Sequence, residues 1–360
     1  MRPYVLLWGL LVSLSIPLNA SSIFDLIKSK AEVRELRLEL PMDSILAKTN
    51  NDQAATISFT DDTDLAQRWS LKVGVRGKFR RRTCALPPLR LDFDKSELED
   101  AGLARHDKLK LVVPCLDGQD GETLLLREYL AYQVYERLTP YHFRTQLLQL
   151  TLVDSDGRLP DQTVYAFVLE DTDEMAERIG GEEIDGVVSR VARDWNRNAE
   201  VMHSLAQYLL GNHDFSLTMV RNLKQVRMYN DGLLVPVAYD FDFSYLVGAP
   251  YATLNSSVGQ ERFGDRVYLG FKMEDAVLIR SLQHFANQRR AVLRYVRNYE
   301  LLDFDERYAL ADRLISGFNQ LRRVHRDADK HEDLYVDLRG KHHDTLPAGE
   351  LPENYGLSRR

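Results

Sequence analysis

GNHDFSLTMVRNLKQVRMYNDGLLVPVAYDFD, residues 211–242, decides how the rest of the chain is read. Two apolar runs of strand type, KQVRMY and LLVPVAY, flank Asn230-Asp231-Gly232. Asn-Asp-Gly between such runs signals a β-hairpin, because these residues accept the left-handed backbone of a tight turn. If Asn230 and Asp231 are the central turn residues, Asn222 lies opposite Tyr239; if Asp231 and Gly232 are, it lies opposite Phe241. Either register returns Asn222 beside Asp240, with Asp214 one short loop away. Taken singly, Asp214 reads as a loop or cap residue and Asn222 as a turn residue. Asp240 and Asp242 alone read as a solvated strand end or a calcium pair. The ribbon changes that reading, because independent loop residues need not converge. His213 reads as structural, since it lacks partner histidines at the spacing of a zinc site.

Oxygen-bearing side chains at one mouth of a ribbon suit a magnesium nucleotide site, with manganese as an alternative ion. Magnesium takes a few hard oxygen ligands from protein and the rest from phosphates and water. Phosphoryl transfer is mostly positioning and charge neutralisation, with a carboxylate near the attacking hydroxyl. In that arrangement Asp214 orients the hydroxyl or accepts its proton. Asn222 binds metal without adding negative charge beside a polyanion, and Asp240 binds the metal that bridges the phosphates.

Outward from this stretch, the chain divides by pattern. Residues 23–70 are hard to place, although AEVRELRLELPMDSI reads as a strand that begins the fold. The alternating runs ATISFT, RWSLKVGVRG, PPLRLDFD and KLKLVVPCL follow, all of strand type. ETLLLREYLAYQVYERL is a helix in which Leu126, Leu130 and Val134 recur every fourth residue. TQLLQLTLV and TVYAFVLE flank DSDGRLPDQ as a second hairpin, which makes the first half a mostly antiparallel sheet with one prominent helix. The acidic DTDEMAERIGGEEIDG reads as a connecting segment. RNAEVMHSLAQYLL and two long later segments are amphipathic helices, and residues 330–360 form a polar, unpatterned tail. The coarse expectation is an α+β fold: a β-rich lobe over 21–171 and a mostly helical lobe over 172–329.

Bulk properties narrow the function classes. A length of 360 residues with 44% hydrophobic content allows one large domain or two lobes. The net charge of -7, with both signs mixed along the chain, argues against a nucleic-acid partner, which would require a basic face. Residues 1–20 read as an export signal: Arg2, an apolar core from Val5 to Ile16, Pro17, and small residues at Ala20 and Ser21. The core falls short of the roughly 20 residues that span a bilayer. The mature chain, cut near Ala20, is therefore expected outside the cytoplasm, secreted or periplasmic, with no transmembrane segment. Cys84 and Cys115, the only cysteines, can pair in an oxidising compartment or remain two buried thiols.

The order Asp, Asn, hairpin and apolar strand ending in Asp-Phe matches the catalytic lobe of the protein-kinase-like fold. The Asp-to-Asn gap is longer than in protein kinases, and Asp242 stands where they have glycine. Both departures point one way. YLLGNHDFSLTMVRN with VPVAYDFDFSYLVG resembles the spore-coat protein CotH family of secreted, atypical kinase-like proteins. LLREYLAYQVYERL adds to the likeness, which spans roughly residues 70–250. The resemblance implies a two-lobed kinase-like fold and phosphorylation, from magnesium ATP, of a protein or other hydroxyl acceptor outside the cytoplasm. It assigns Asp214 as catalytic aspartate and Asn222, Asp240 and Asp242 as metal ligands.

The front half departs further, since VRGKFRRRTC keeps only Arg76 and Gly77 of that family's Arg-Gly-Asn-Ser stretch. Lys110 is the first candidate for a phosphate-neutralising cation: it shares a strand face with Lys108, opposite Leu109 and Leu111. Arg90 is the second, and Glu128 on the following helix is placed to pair with that cation. The remaining basic run, RGKFRRR, reads as a solvated turn. Two other classes stay open: a catalytically degenerate kinase-like envelope protein, and a glycosyltransferase using Asp240-Phe241-Asp242 as its metal motif. The latter requires strand–helix units before the motif, whereas helix, loop and hairpin precede it.

Overall fold

The computed structural model describes residues 20–272 and 274–326. The export signal and the polar tail therefore fall outside the described residues, apart from Ala20. The first part of the chain runs α1 (Ile23–Ile27), β1 (Val33–Leu40), α2 (Met42–Leu46), β2 (Gln53–Thr60), β3 (Ala66–Val75), α3 (Arg80–Thr83), β4 (Leu89–Phe93), α4 (Lys95–Asp100) and β5 (Lys108–Val112). The long helix α5 (Gly118–Leu138) and the hairpin β6 (Thr145–Asp154) with β7 (Gln162–Leu169) complete it.

These seven strands close into a barrel in the order β1-β2-β3-β4-β5-β7-β6. All neighbours are antiparallel except β1 and β6, whose parallel pairing over Val33–Leu40 and Leu147–Asp154 closes the barrel. Alternation decides what lies inside. Leu36, Leu38, Leu71, Val73, Leu89, Leu91, Leu109, Leu111, Leu148 and Leu150 form an inner core, which Ile23, Phe24 and Ile27 of α1 join. On the outer face of β6 and β7, Leu147, Phe167 and Leu169 belong to a second core.

That second core is mostly helical. The acidic segment expected to be a connector forms α6 (Thr172–Arg178) and the short β8 (Gly181–Glu183). Asp171 caps α6, its side chain accepting from the Asp173 N–H, and β8 pairs with Met228–Val226; the acidic composition hid a capped helix and an edge strand. Then come α7 (Arg197–Leu210), β9 (Leu223–Met228), β10 (Leu234–Ala238), α8 (Asp275–Arg297) and α9 (Phe304–Arg326). Leu126, Leu130 and Val134 of α5 are buried here together with Leu205 and Leu209 of α7, Leu282 and Phe285 of α8, and Leu314 and Phe318 of α9. Helix α5 is buried nearly all round, which fits its position between the barrel's outer face and the helices. At its N-terminus a Cβ on Gly121 would lie 1.7 Å from the Leu116 carbonyl oxygen, so that turn accepts only glycine.

The two cysteines are bonded: Cys84, directly after α3, pairs with Cys115, just before α5, at a Cα–Cα distance of 4.4 Å. Packing at Leu130 sets a stability test. It is fully buried, whereas Leu65 is 61% exposed. Leu130→Ala should lower the unfolding free energy in urea by about 2–5 kcal/mol, as cavity-forming core truncations do. Leu65→Ala should stay within about 0.5 kcal/mol of the parent. Equal losses at the two positions would refute this account of the core.

Candidate functional site

Helix α7 ends because Gly211 adopts φ 64° and closes its last turn. A Cβ there would lie 2.7 Å from the Cβ of Tyr245. The chain after β10 is zipped onto this exit, with the Tyr245 N–H on the Gly211 carbonyl at 3.0 Å and the Leu246 N–H on that of Leu210 at 3.0 Å. His213 stabilises the loop from inside. Its Nε2 accepts the Val267 N–H at 2.9 Å, and its carbonyl accepts Asn255 Nδ2 at 2.9 Å. This is the structural role expected for that histidine.

The ribbon pairs with Ala238 opposite Leu223 and Leu234 opposite Arg227. The Tyr239 N–H reaches the Asn222 carbonyl at 3.2 Å, so the register is the one centred on Asn230 and Asp231. At the open end, Asn222 Nδ2 donates to the Asp214 carbonyl at 2.6 Å and to its Oδ2 at 2.9 Å. Asn222 and Asp240 both sit in the left-handed region, at φ 53° and 66°. Asparagine and aspartate tolerate that conformation best after glycine, and non-glycine residues held there concentrate at functional sites.

Asp214 is half-buried. Burial raises its pKa, helped by Asp242 and opposed by Arg221, whose Nε lies 3.4 Å away, and by the Asn222 hydrogen bond. Asp240 keeps 42% of its side chain exposed at the cleft, whereas Asp242 keeps 4%. Low local solvation and the adjacent Asp242 carboxylate push the Asp240 pKa up, against Arg80 and Arg76. The Asp240 N–H is held by the Tyr132 hydroxyl at 2.8 Å.

The cation that faces these carboxylates is Arg80. Its guanidinium lies 2.6 Å from Glu128, 2.9 Å from Asp242 and 3.5 Å from Asp240, with 8% of the side chain exposed. Burial works against its charge, but Asp242, Glu128 and Asp240 outweigh it and hold Arg80 protonated. Glu128 is pushed up by burial and by the two aspartates. The expectation that Glu128 pairs with Lys110 or Arg90 is thus corrected, as is the reading of RGKFRRR as wholly solvated. Only burial separates Arg80 from Arg81 and Arg82, and nothing in three consecutive arginines announces it.

Lys110 and Arg90 are cross-strand partners on the barrel's outer face, but they point to different surroundings. Arg90 is occupied by Asp52 at 2.6 Å and Asp92 at 3.6 Å; Asp52 approaches so closely that a Cβ on Gly74 would meet its Oδ1 at 2.3 Å. The Lys110 ammonium lies 4.4 Å over the Phe143 ring and 5.5 Å over Tyr239, and donates to Thr172 Oγ1 at 2.7 Å. Burial, with Arg76 and Lys224 nearby, lowers its pKa to about 7, against Glu183 and Asp171. Lys110 therefore stands beside the residue preceding Asp240, and Arg90 does not. Arg76 makes no side-chain hydrogen bond or ion pair among the described residues, yet its charge acts on Lys110, Tyr239 and Asp240.

Among the described residues, no group of three His, Cys, Asp or Glu side chains could hold a metal ion. The donors present are the Asp240 carboxylate, the Asn222 amide and, behind Arg80, Asp242. An all-protein cage is excluded there, but the donor chemistry fits an ion that takes its remaining oxygens from phosphate and water. The crowding of Asp240 by Asp242 is the kind of like-charge contact that a divalent cation relieves.

No family model matches the sequence, and no curated protein matches it. Among solved structures, the proinflammatory kinase CtkA of Helicobacter pylori is similar at 12% identity and a TM-score of 0.40, the alignment covering 68% of this chain and 94% of that one.

Two titrations test the electrostatics. Burial, assisted by Arg266 and opposed by Asp265, lowers His213 to about 4, from 6.5 when unfolded. A depressed histidine stabilises the fold fully above the unfolded value and progressively less as pH falls towards the folded one. The stability difference between the parent and His213→Gln should therefore be largest above pH 6.5 and shrink between pH 6.5 and 4; a constant difference would contradict a buried neutral imidazole. Lys110 should acylate with a midpoint near pH 7 in peptide-mapped labelling, well below exposed lysines, and a midpoint near 10 would remove it from the cleft.

Proposed function

We propose that the chain is a secreted, CotH-like atypical kinase that transfers the γ-phosphoryl group of magnesium ATP to a hydroxyl of an extracytoplasmic protein or other acceptor. On this reading it has two lobes: the barrel roofs the nucleotide, and the helical core, with α5 packed on it, carries catalysis. The observation that carries the reading is the arrangement at the ribbon's open end. Asp214 and Asn222 are hydrogen-bonded to each other, and the Asp240–Asp242 pair sits at the same end beside Arg80 and Glu128.

Asp214 accepts or directs the acceptor's proton as the hydroxyl oxygen bonds to phosphorus and ADP leaves; its raised pKa suits a base. Asn222 orients Asp214 through Nδ2, and its Oδ1 takes no hydrogen bond among the described residues, leaving an oxygen donor for a cation. Lys110 and Arg76 supply positive charge on the facing wall. A divalent cation held by Asp240 and Asn222 would neutralise phosphate oxygens.

Two variants separate binding from chemistry. The parent should be thermally stabilised by ATP only with magnesium or manganese, by about 2.7 kcal/mol at a hundredfold excess over Kd. Asp240→Asn, which keeps the left-handed backbone available, should abolish this. Asp214→Asn should bind nucleotide as the parent does and lose transfer by about 10²–10⁴-fold. One observation favours a degenerate binding protein instead: Arg80 already occupies Asp242 and Glu128. No response of the parent to any nucleotide would favour that second reading, and stabilisation by a nucleotide sugar alone would favour a glycosyltransferase.

A further inference from the structure

The segment between β3 and β4 is fixed at three points, Phe79, Arg80 and Cys84. Gly77, at φ 80°, turns the chain out of β3. Phe79, 39% exposed, then sets its ring 5.2 Å from Phe243 and 5.7 Å from Tyr251, while those two rings lie 5.9 Å apart. Arg80 reaches inward to Glu128, Asp242 and Asp240. Four residues later the Cys84 N–H closes α3 on the Arg80 carbonyl at 2.8 Å, and its sulfur is bonded to Cys115. The disulfide thus ties the segment that supplies Arg80 to the start of the helix that supplies Glu128.

The position of the guanidinium has a chemical consequence. It lies against Asp242, which is buried, and only edges Asp240, whose carboxylate faces the cleft. A fixed positive charge there holds Asp242 away from any cation bound at Asp240, and repels that cation across a short gap. We propose that Arg80 is the positioning residue that sets the cation affinity of Asp240 by retaining Asp242, and that the Cys84–Cys115 disulfide and the Phe79–Phe243–Tyr251 clasp keep it there. The effect on cation binding rests on the reading of Asp240 as a metal ligand; the fixing of the segment does not.

Two measurements on the full mature chain test this. The first is Mn²⁺ binding followed by electron paramagnetic resonance, without nucleotide. Arg80→Gln should tighten Mn²⁺ at least fivefold and Arg80→Lys should stay near the parent; damage to the fold would instead weaken binding. Because Arg80→Gln leaves two buried carboxylates unpaired, the parent itself is also measured after reduction by excess dithiol. There the disulfide takes two electrons and two protons to give two thiols, and the dithiol is oxidised to its own disulfide. The second measurement is trypsin cleavage after Lys78 or Arg82, followed by mass spectrometry. Reduction, or the paired Cys84→Ala and Cys115→Ala change, should speed it at least tenfold and tighten Mn²⁺ in parallel. Unchanged cleavage on reduction overturns the fixing of the segment. Unchanged Mn²⁺ binding in Arg80→Gln, or weaker binding there with no tightening in the reduced parent, overturns the role of Arg80. A parent that binds no Mn²⁺ in any form overturns the metal-ligand reading, and with it the role of Arg80; the cleavage rate still decides whether the disulfide fixes the segment.

Discussion

One guanidinium set among three carboxylates is the constraint on which the rest of the cleft depends. Arg80 comes from the strand connection of the barrel, Glu128 from α5, and Asp240 and Asp242 from the end of the ribbon. Three parts of the chain, far apart in sequence, therefore meet on one charge. Breaking such a buried pair from one side costs about 3–5 kcal/mol, because the partner is left charged in a poor solvent. The cluster is also unbalanced: one positive charge faces three acids. Two of those acids have raised pKa values, the usual response of carboxylates that lack enough counter-charge. On the proposed function, a divalent cation would supply the missing charge.

The ribbon reaches that cluster through backbone geometry that ordinary residues resist. Asn222 and Asp240 take left-handed conformations just outside the paired strands, where the chain must turn sharply to aim both side chains at the mouth. Apart from glycine, the cost is lowest for these two residue types. Gly211 does the same at the end of α7, and the bonds from Tyr245 and Leu246 back to residues 210 and 211 fix the loop that carries Asp214.

How much of this was legible in the sequence depends on range. The hairpin was, because Asn230-Asp231-Gly232 and the flanking apolar runs are local signals, and with it the return of Asn222 to the side of Asp240. Helix α5 was, because Leu126, Leu130 and Val134 repeat at helical spacing. The closure of the barrel was not: β1 and β6 pair in parallel across more than a hundred residues, and no local pattern encodes that contact. Arg80 was not, because its burial is decided by acids supplied from Glu128 and Asp242. The disulfide stayed open for a related reason, since spacing allows a pair without requiring it. Short-range order is written in residue types, and the charge network is written in the fold.

Groups of both signs gather at the ribbon's open end, and on the proposed function this bears on what it would hold. Asp240 and Asp242 form one side. On the other side stand Lys110, seated over Phe143 and Tyr239, and Arg76, whose side chain makes no ion pair among the described residues. A bare cation would satisfy the acidic wall and leave the basic one unmatched. A bare anion would do the reverse and face Asp240. On the proposed function, a polyphosphate carrying a divalent ion would complement both at once, because its metal end and its oxygen end are the same ligand. On the same proposal Lys110, an amine whose pKa is depressed by its surroundings, would be restored to full charge by an incoming phosphate, so that the ligand would supply the charge the protein lacks.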